Sequence, residues 1–213
     1  MADDAAQDLD DLTLHGVRVL GYGPAARVSA RYGLDLSAVE DSLLDAEAYG
    51  WVRRTAFGGS EGWSVTERGK AETERRAARV LDVLGVADAV RAVHADFLPV
   101  NARFGEACTR WQIRPTARDP LAANDHEDLR WDHHVLTALR SLQGSLDDLC
   151  ARLAVHLPRF GVYPPLYAAA LARVGDGEHA WLDAPDRDSL HLVWIQLHED
   201  LLATLGLPRG RDT

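Results

Sequence analysis

Apolar residues recur every three or four positions along most of this chain, and glycine or proline marks each break. The longest run is Trp131, Val135, Leu139, Leu142, Leu146, Leu149, Leu153 and Leu157, stopped by Pro158. That spacing predicts one long helix, either central to a bundle or forming a dimer seam. Before it, Val90, Val93, Phe97, Val100 and Phe104 predict a helix over Ala87–Phe104, with Pro99 expected to kink or split it. After it, the pattern predicts a short helix over Leu166–Val174 and a last one over Ser189–Leu205, closed by Gly206 and Pro208.

The first 84 residues have shorter periods. Helices are predicted over Leu12–Leu20 and Ala25–Arg31, the second opened by Pro24. A turn at Gly33 leads to a third helix from Leu36 and Ser37, with Ser37 as N-cap, Glu40 as its capping-box partner and Gly50 as its end. Short strands are expected over Trp51–Thr55 and Trp63–Val65, around a Gly58–Gly62 tip. Thr66 should cap a following helix that begins at Glu67. The expected fold is therefore mainly α, with three helices and a two-stranded hairpin over residues 12–84, then an all-α bundle over 86–207. Residues 1–11 are expected to form a disordered acidic tail.

Several stretches carry a family likeness: Leu36-Ser-Ala-Val39, Tyr49-Gly-Trp-Val52, the glycine-rich tip, and Trp63-Ser-Val-Thr-Glu-Arg-Gly69. Here the sequence resembles winged-helix regulators of the MarR and PadR type, over about a third of the chain. The resemblance implies a third helix that offers its outer face to a DNA major groove and a hairpin that reaches the adjacent backbone. DNA contacts are then expected from Arg27, Arg31, Ser37, Ala38, Asp41, Ser42, Arg53, Arg54 and Ser60. The third helix departs from the pattern of DNA readers, because it carries Glu40, Asp41, Asp45 and Glu47.

Charge sharpens that departure. The 213 residues hold 23 basic and 33 acidic side chains, for a net charge of -10. Residues 1–11 contribute -5, residues 12–79 contribute +1 and residues 80–213 contribute -6. The module resembling a winged helix is thus nearly neutral, so any DNA affinity should be modest, dimer-dependent and salt-sensitive. No apolar run reaches a membrane span, the N-terminal acids do not suit a targeting signal, and Cys108 and Cys150 fit a reduced cytoplasm.

The helical half offers polar and aromatic groups for an effector site. Asn101, Trp111, Arg114 and His126 lie around Pro99 and the following loop, and His191, Trp194 and His198 share one face of the last helix. No cofactor or metal is expected, because the zinc-helix and di-iron spacings are missing. No catalytic signature is found either. The expected function is a cytoplasmic, homodimeric transcription regulator that binds double-stranded DNA, with a small-molecule effector in the helical half. Two alternatives stay open: an interaction protein whose winged helix docks a protein, and a small-molecule- or metal-dependent enzyme in the bundle.

Overall fold

The computed structural model describes residues 8–57 and 60–208, without the side chains of Phe57 and Ser60. The chain is mainly helical with one two-stranded antiparallel sheet. It divides into two compact units. One takes the chain up to Arg91 together with the segment from Gln196 onward, and the other is Ala92–Ile195.

The first unit opens with α1 (Leu9–Leu20), α2 (Ala25–Tyr32) and α3 (Leu36–Ala48). Helix α1 starts three residues earlier than its apolar pattern predicts. Asp10 and Asp11 lie in its first turn, where carboxylates are favoured by the helix dipole. Asp11 is buried and pairs with Arg76, so the expected tail does not extend to residue 11; residues 1–7 lie outside the described residues. Helix α2 ends at Gly33, whose φ of 66° is the left-handed cap that glycine adopts at little cost. The N-cap of α3 is Asp35, not Ser37: its carboxylate accepts from the Ala38 N–H at 3.0 Å. The aspartate sits one residue before the first helical position, where a cap must be.

Leu14, Val17, Val28, Val39 and Leu43 form the core of this unit, closed by Val52 and Trp63 from the hairpin. Strands β1 (Val52–Phe57) and β2 (Ser60–Val65) pair from Val52↔Val65 to Phe57↔Ser60. The hairpin has a further anchor in the connection between α1 and α2. Gly23 and Trp63 exchange two backbone hydrogen bonds, of 3.2 and 2.8 Å, which pin the α1–α2 connection to β2.

The Thr66-x-x-Gly69 motif now has a physical explanation. Thr66 Oγ1 accepts from the Gly69 N–H at 3.0 Å and donates to the Gly50 carbonyl at 2.7 Å. This starts α4 (Glu67–Leu84) against the end of α3. Gly69 lies so close to the Trp51 backbone that no side chain fits between them.

On α4, Glu72 receives hydrogen bonds from Arg75 and Arg76. These bonds, led by that from Arg75, hold its carboxyl down at about 2 against an ordinary value of 4.5. Glu72 therefore stabilises the folded state fully above about pH 4.5 and loses this effect as pH falls towards about 2. Glu72→Gln is expected to be less stable than the wild type near neutrality and to match it near pH 2. Urea titrations across that range check this.

The second unit is built on α5 (Ala87–Gln112), α6 (Leu129–Ala154), a 3-10 turn at Pro158–Val162, α7 (Tyr163–Gly175), α8 (Ala180–Asp183) and the start of α9 (Leu190–Leu205). Helix α5 corrects the sequence expectation, because it runs through Pro99 to Gln112. Pro99 and Ala95, whose carbonyl loses its partner, are both exposed, so water can satisfy that carbonyl. The α6 stripe from Val135 to Leu153 is buried within the chain, while His133, His134, Arg140 and Asp147 face outward. Helix α6 is thus a central element and does not offer its stripe as a seam to a second copy. Cys108 and Cys150 are buried free thiols, and burial pushes Cys108 up to about 12.

The last helix is divided. His191 and Trp194 belong to the second unit, whereas Gln196 to Leu205 pack in the first. The reason is a polar stripe on an otherwise apolar helix. Gln196 Oε1 accepts from Arg31 at 2.8 Å, Glu199 from Arg18 at 3.2 Å, and Asp200 pairs with His15 at 2.8 Å. Among the described residues no helix is long and apolar enough to cross a membrane.

Candidate functional site

Helix α3 turns Val39, Ser42, Leu43 and Ala46 into the core. Its outer surface has two parallel ridges at i, i+4, i+8 spacing. One is Leu36, Glu40 and Leu44; the other is Ser37, Asp41 and Asp45; all six are exposed. Leu36 is 41% exposed and Leu44 52%, so each offers apolar surface to solvent. Glu40, Asp41 and Asp45 have no ion-pair partner among the described residues, and the outer face of α3 carries no base.

The hairpin stands beside this face. Between them lies an open groove of about 360 Å³, lined by Leu44, Trp63, Glu40, Glu61 and Arg54, with Pro24 and Ala25 where α2 begins. Among the described residues Arg54 is the only base in the lining, and its charge is already engaged. Its guanidinium meets Glu61 at 2.5 Å, and its backbone N–H donates to Glu47 Oε1 at 3.2 Å.

The nine expected DNA-contact residues fall into distinct environments. Ser37 and Asp41 are exposed on α3 and Ala38 is half-buried. Ser42 is buried, because it lies three residues after Val39 and so on the core face. Arg31 is also buried, held by Gln196, and is not a surface group. Arg27 is half-buried; Arg53 is exposed on β1, with Nε 3.4 Å from Ser64 Oγ. The Ser60 side chain lies outside the described residues. Glu61 and Trp63 line the groove but were not expected as site residues. Cross-strand pairing of Arg54 with Trp63 and the i, i+4 partnership of Glu40 with Leu44 were the available signals.

The seven expected effector residues form no single pocket. In the second unit, Trp194 Nε1 donates to Asn101 Oδ1 at 2.8 Å, and Trp194 stacks on Phe104 with ring centres 4.3 Å apart. His191 stacks on the other end of this group, 6.4 Å from Phe104. Trp194 and Phe104 are each 2% exposed, so they are core side chains with their polar needs met internally. A second group joins Trp111, His126 and His179, with His126 4.4 Å and 4.7 Å from the other two rings. His198 lies in the first unit.

His126 is the only described non-glycine residue with positive φ, at 59°. Its Nδ1 lies 2.9 Å from Oδ2 of buried Asp132. The Asn124 amide donates to the Trp111 carbonyl at 3.0 Å and to Asp132 Oδ1 at 2.8 Å, which uses both of its protons. The Nδ1 proton of His126 therefore goes to Asp132, and the nearby Asn124 nitrogen is not its partner. The network ties the loop after α5 to the start of α6. Arg114 supports it from outside, meeting Asp125 at 3.3 Å and Asp128 at 3.5 Å. Among the described residues, no three His, Cys, Asp or Glu side chains gather into a metal-ligand set.

Comparison with protein-family models, curated proteins and solved structures gives no match.

Proposed function

We propose that this chain is a regulator of transcription built on a winged helix of the MarR and PadR type, and that the face formed by α3 and the hairpin docks a protein partner. The winged-helix reading is supported by the order α1, α2, glycine turn, α3, β1, β2, α4 and by the hairpin packed onto the three-helix core. The docking reading rests on one observation: the outward face of α3 presents Glu40, Asp41 and Asp45 beside Leu36 and Leu44, with no base among them. Carboxylates facing a phosphate backbone oppose binding, whereas exposed leucines beside a groove suit a polypeptide.

The test is fluorescence anisotropy with labelled duplex DNA from upstream of the protein's own coding sequence. No saturable binding is expected at about 100 mM salt. Saturation that weakens steeply with salt would overturn the docking reading.

A second reading, operator binding, is favoured by exposed Arg53 on β1 and exposed Arg68 at the start of α4. On that reading, replacing Arg53 and Arg54 with alanine lowers the salt slope of binding by about 2. In the second unit, Trp194 and Asn101 satisfy each other and Asp132 is held by Asn124 and His126, so these groups are already partnered within the chain.

A further inference from the structure

We infer that the groove between α3 and the hairpin takes a basic amphipathic segment of a partner protein, with a large apolar side chain on Leu44 and Trp63 and flanking Arg or Lys side chains on the acidic ridges. The inference rests on the docking reading and adds the chemistry of the partner.

Three features select that occupant. Part of the lining is apolar: Leu44 is half-exposed, Pro24 and Ala25 adjoin it, and Trp63, 8% exposed with the Arg54 guanidinium 5.9 Å over its ring, shows only an edge. The unpaired carboxylate of the rim is Glu40 from α3, because Glu61 on β2 is already held by Arg54. Among the described residues the lining's one base, Arg54, is paired with Glu61, so an incoming base meets Glu40 in the groove and Asp41 and Asp45 on the adjoining ridge of α3. The surface is also extended. The ridge from Leu36 to Leu44 runs about 12 Å along the helix, more than one small cation or a single side chain covers. Charge complementarity therefore points to a basic chain segment, and the leucines require it to be apolar as well.

The test uses the full chain and four labelled peptides of about 15 residues. The first has leucines on one helical face flanked by arginines. The second has glutamates in place of the arginines, the third lacks the leucines, and the fourth is a scrambled copy of the first. The first peptide is expected to bind saturably, and the others at least about tenfold more weakly. Leu44→Arg should weaken the first peptide by about tenfold or more, and Glu40→Gln with Asp45→Asn should weaken it and flatten its salt dependence. Val83→Arg, on an exposed apolar residue of α4, should change nothing. Thermal melts keep folding separate from binding, since Leu44 lies outside the core.

Equal binding of the leucine-free peptide, or no effect of Leu44→Arg, would reduce the groove to diffuse charge attraction and overturn the inference. Equal or tighter binding of the glutamate peptide would overturn the partner's basic character but leave docking standing. Saturable DNA binding with no peptide bound would remove the docking reading itself. Failure of every ligand to bind would overturn the inference.

Discussion

Gly69→Ala should disrupt the hairpin and its attachment to α4 more than an alanine at any other described glycine. A Cβ at Gly69 would lie 1.9 Å from the Trp51 carbonyl oxygen and 2.7 Å from both the Trp51 carbonyl carbon and Val65 Cγ2. Two of these three atoms are backbone, so no rotamer change relieves the overlap. The strand has to move, and with it the Thr66 bond to Gly50 and the pairing of Val52 with Val65. Destabilisation on the order of 3 kcal/mol or more is expected, a fall in Tm of roughly 6–12 °C. Gly144→Ala is the contrast, because a Cβ there meets nothing within 4 Å on α6. It should stabilise the helix by about 0.5–1 kcal/mol. Thermal melts by circular dichroism of the two variants give the comparison.

Asp200→Ala should have the next largest effect. Asp200 is fully buried and its partner His15 is 3% exposed. The carboxylate takes Nε2 of His15 at 2.8 Å and lies 3.3 Å from Thr204 Oγ1. Removing the carboxylate deletes a buried hydrogen-bond acceptor of both His15 and Thr204, a loss of about 3 kcal/mol. Replacing both residues by leucine should restore much of that loss, because two buried polar groups disappear together. A urea-based double-mutant cycle measures this coupling. The result also locates the end of the chain in energetic terms: α9 beyond Ile195 is part of the first unit, so truncation after Ile195 should unfold it.

These two sites show what the sequence made legible. Thr66-x-x-Gly69 could be read as a cap followed by glycine, and Thr66 does cap α4. The glycine's further role depends on Trp51, eighteen residues away, which no local pattern displays. The helical periods placed α1 to α4 and α6 well, because amphipathic spacing directly records which face is buried. The same logic, carried one step further, would have placed Ser42 on the core face with Val39. Arg31 could not be read this way. Its burial depends on Gln196, 165 residues later, and a lone arginine near a helix end reads as a surface group.

Residue type alone was a weaker guide. Pro99 was expected to kink or split α5; the helix is not split, and Pro99 sits where the orphaned carbonyl can face water. His191, Trp194 and His198 share a helical face, but α9 passes from one unit to the other after Ile195, which a helical period does not display. The acidic outer face of α3 was visible from the start. The structure added that Glu40, Asp41 and Asp45 have no ion-pair partner among the described residues and that a groove lined in part by Leu44 lies beside Glu40.

The most direct test of that face is one anisotropy titration of upstream duplex DNA against two proteins: the wild type, and a variant carrying Glu40→Gln, Asp41→Asn and Asp45→Asn. It is run at about 50 mM and about 200 mM salt. If α3 is a docking face barred to DNA by its own carboxylates, the wild type will not saturate at either salt concentration. The neutralised variant will gain weak, salt-sensitive binding through Arg53 and its neighbours. Saturable binding by the wild type, weakened by the neutralising substitutions and abolished by Arg53→Ala, would contradict the account.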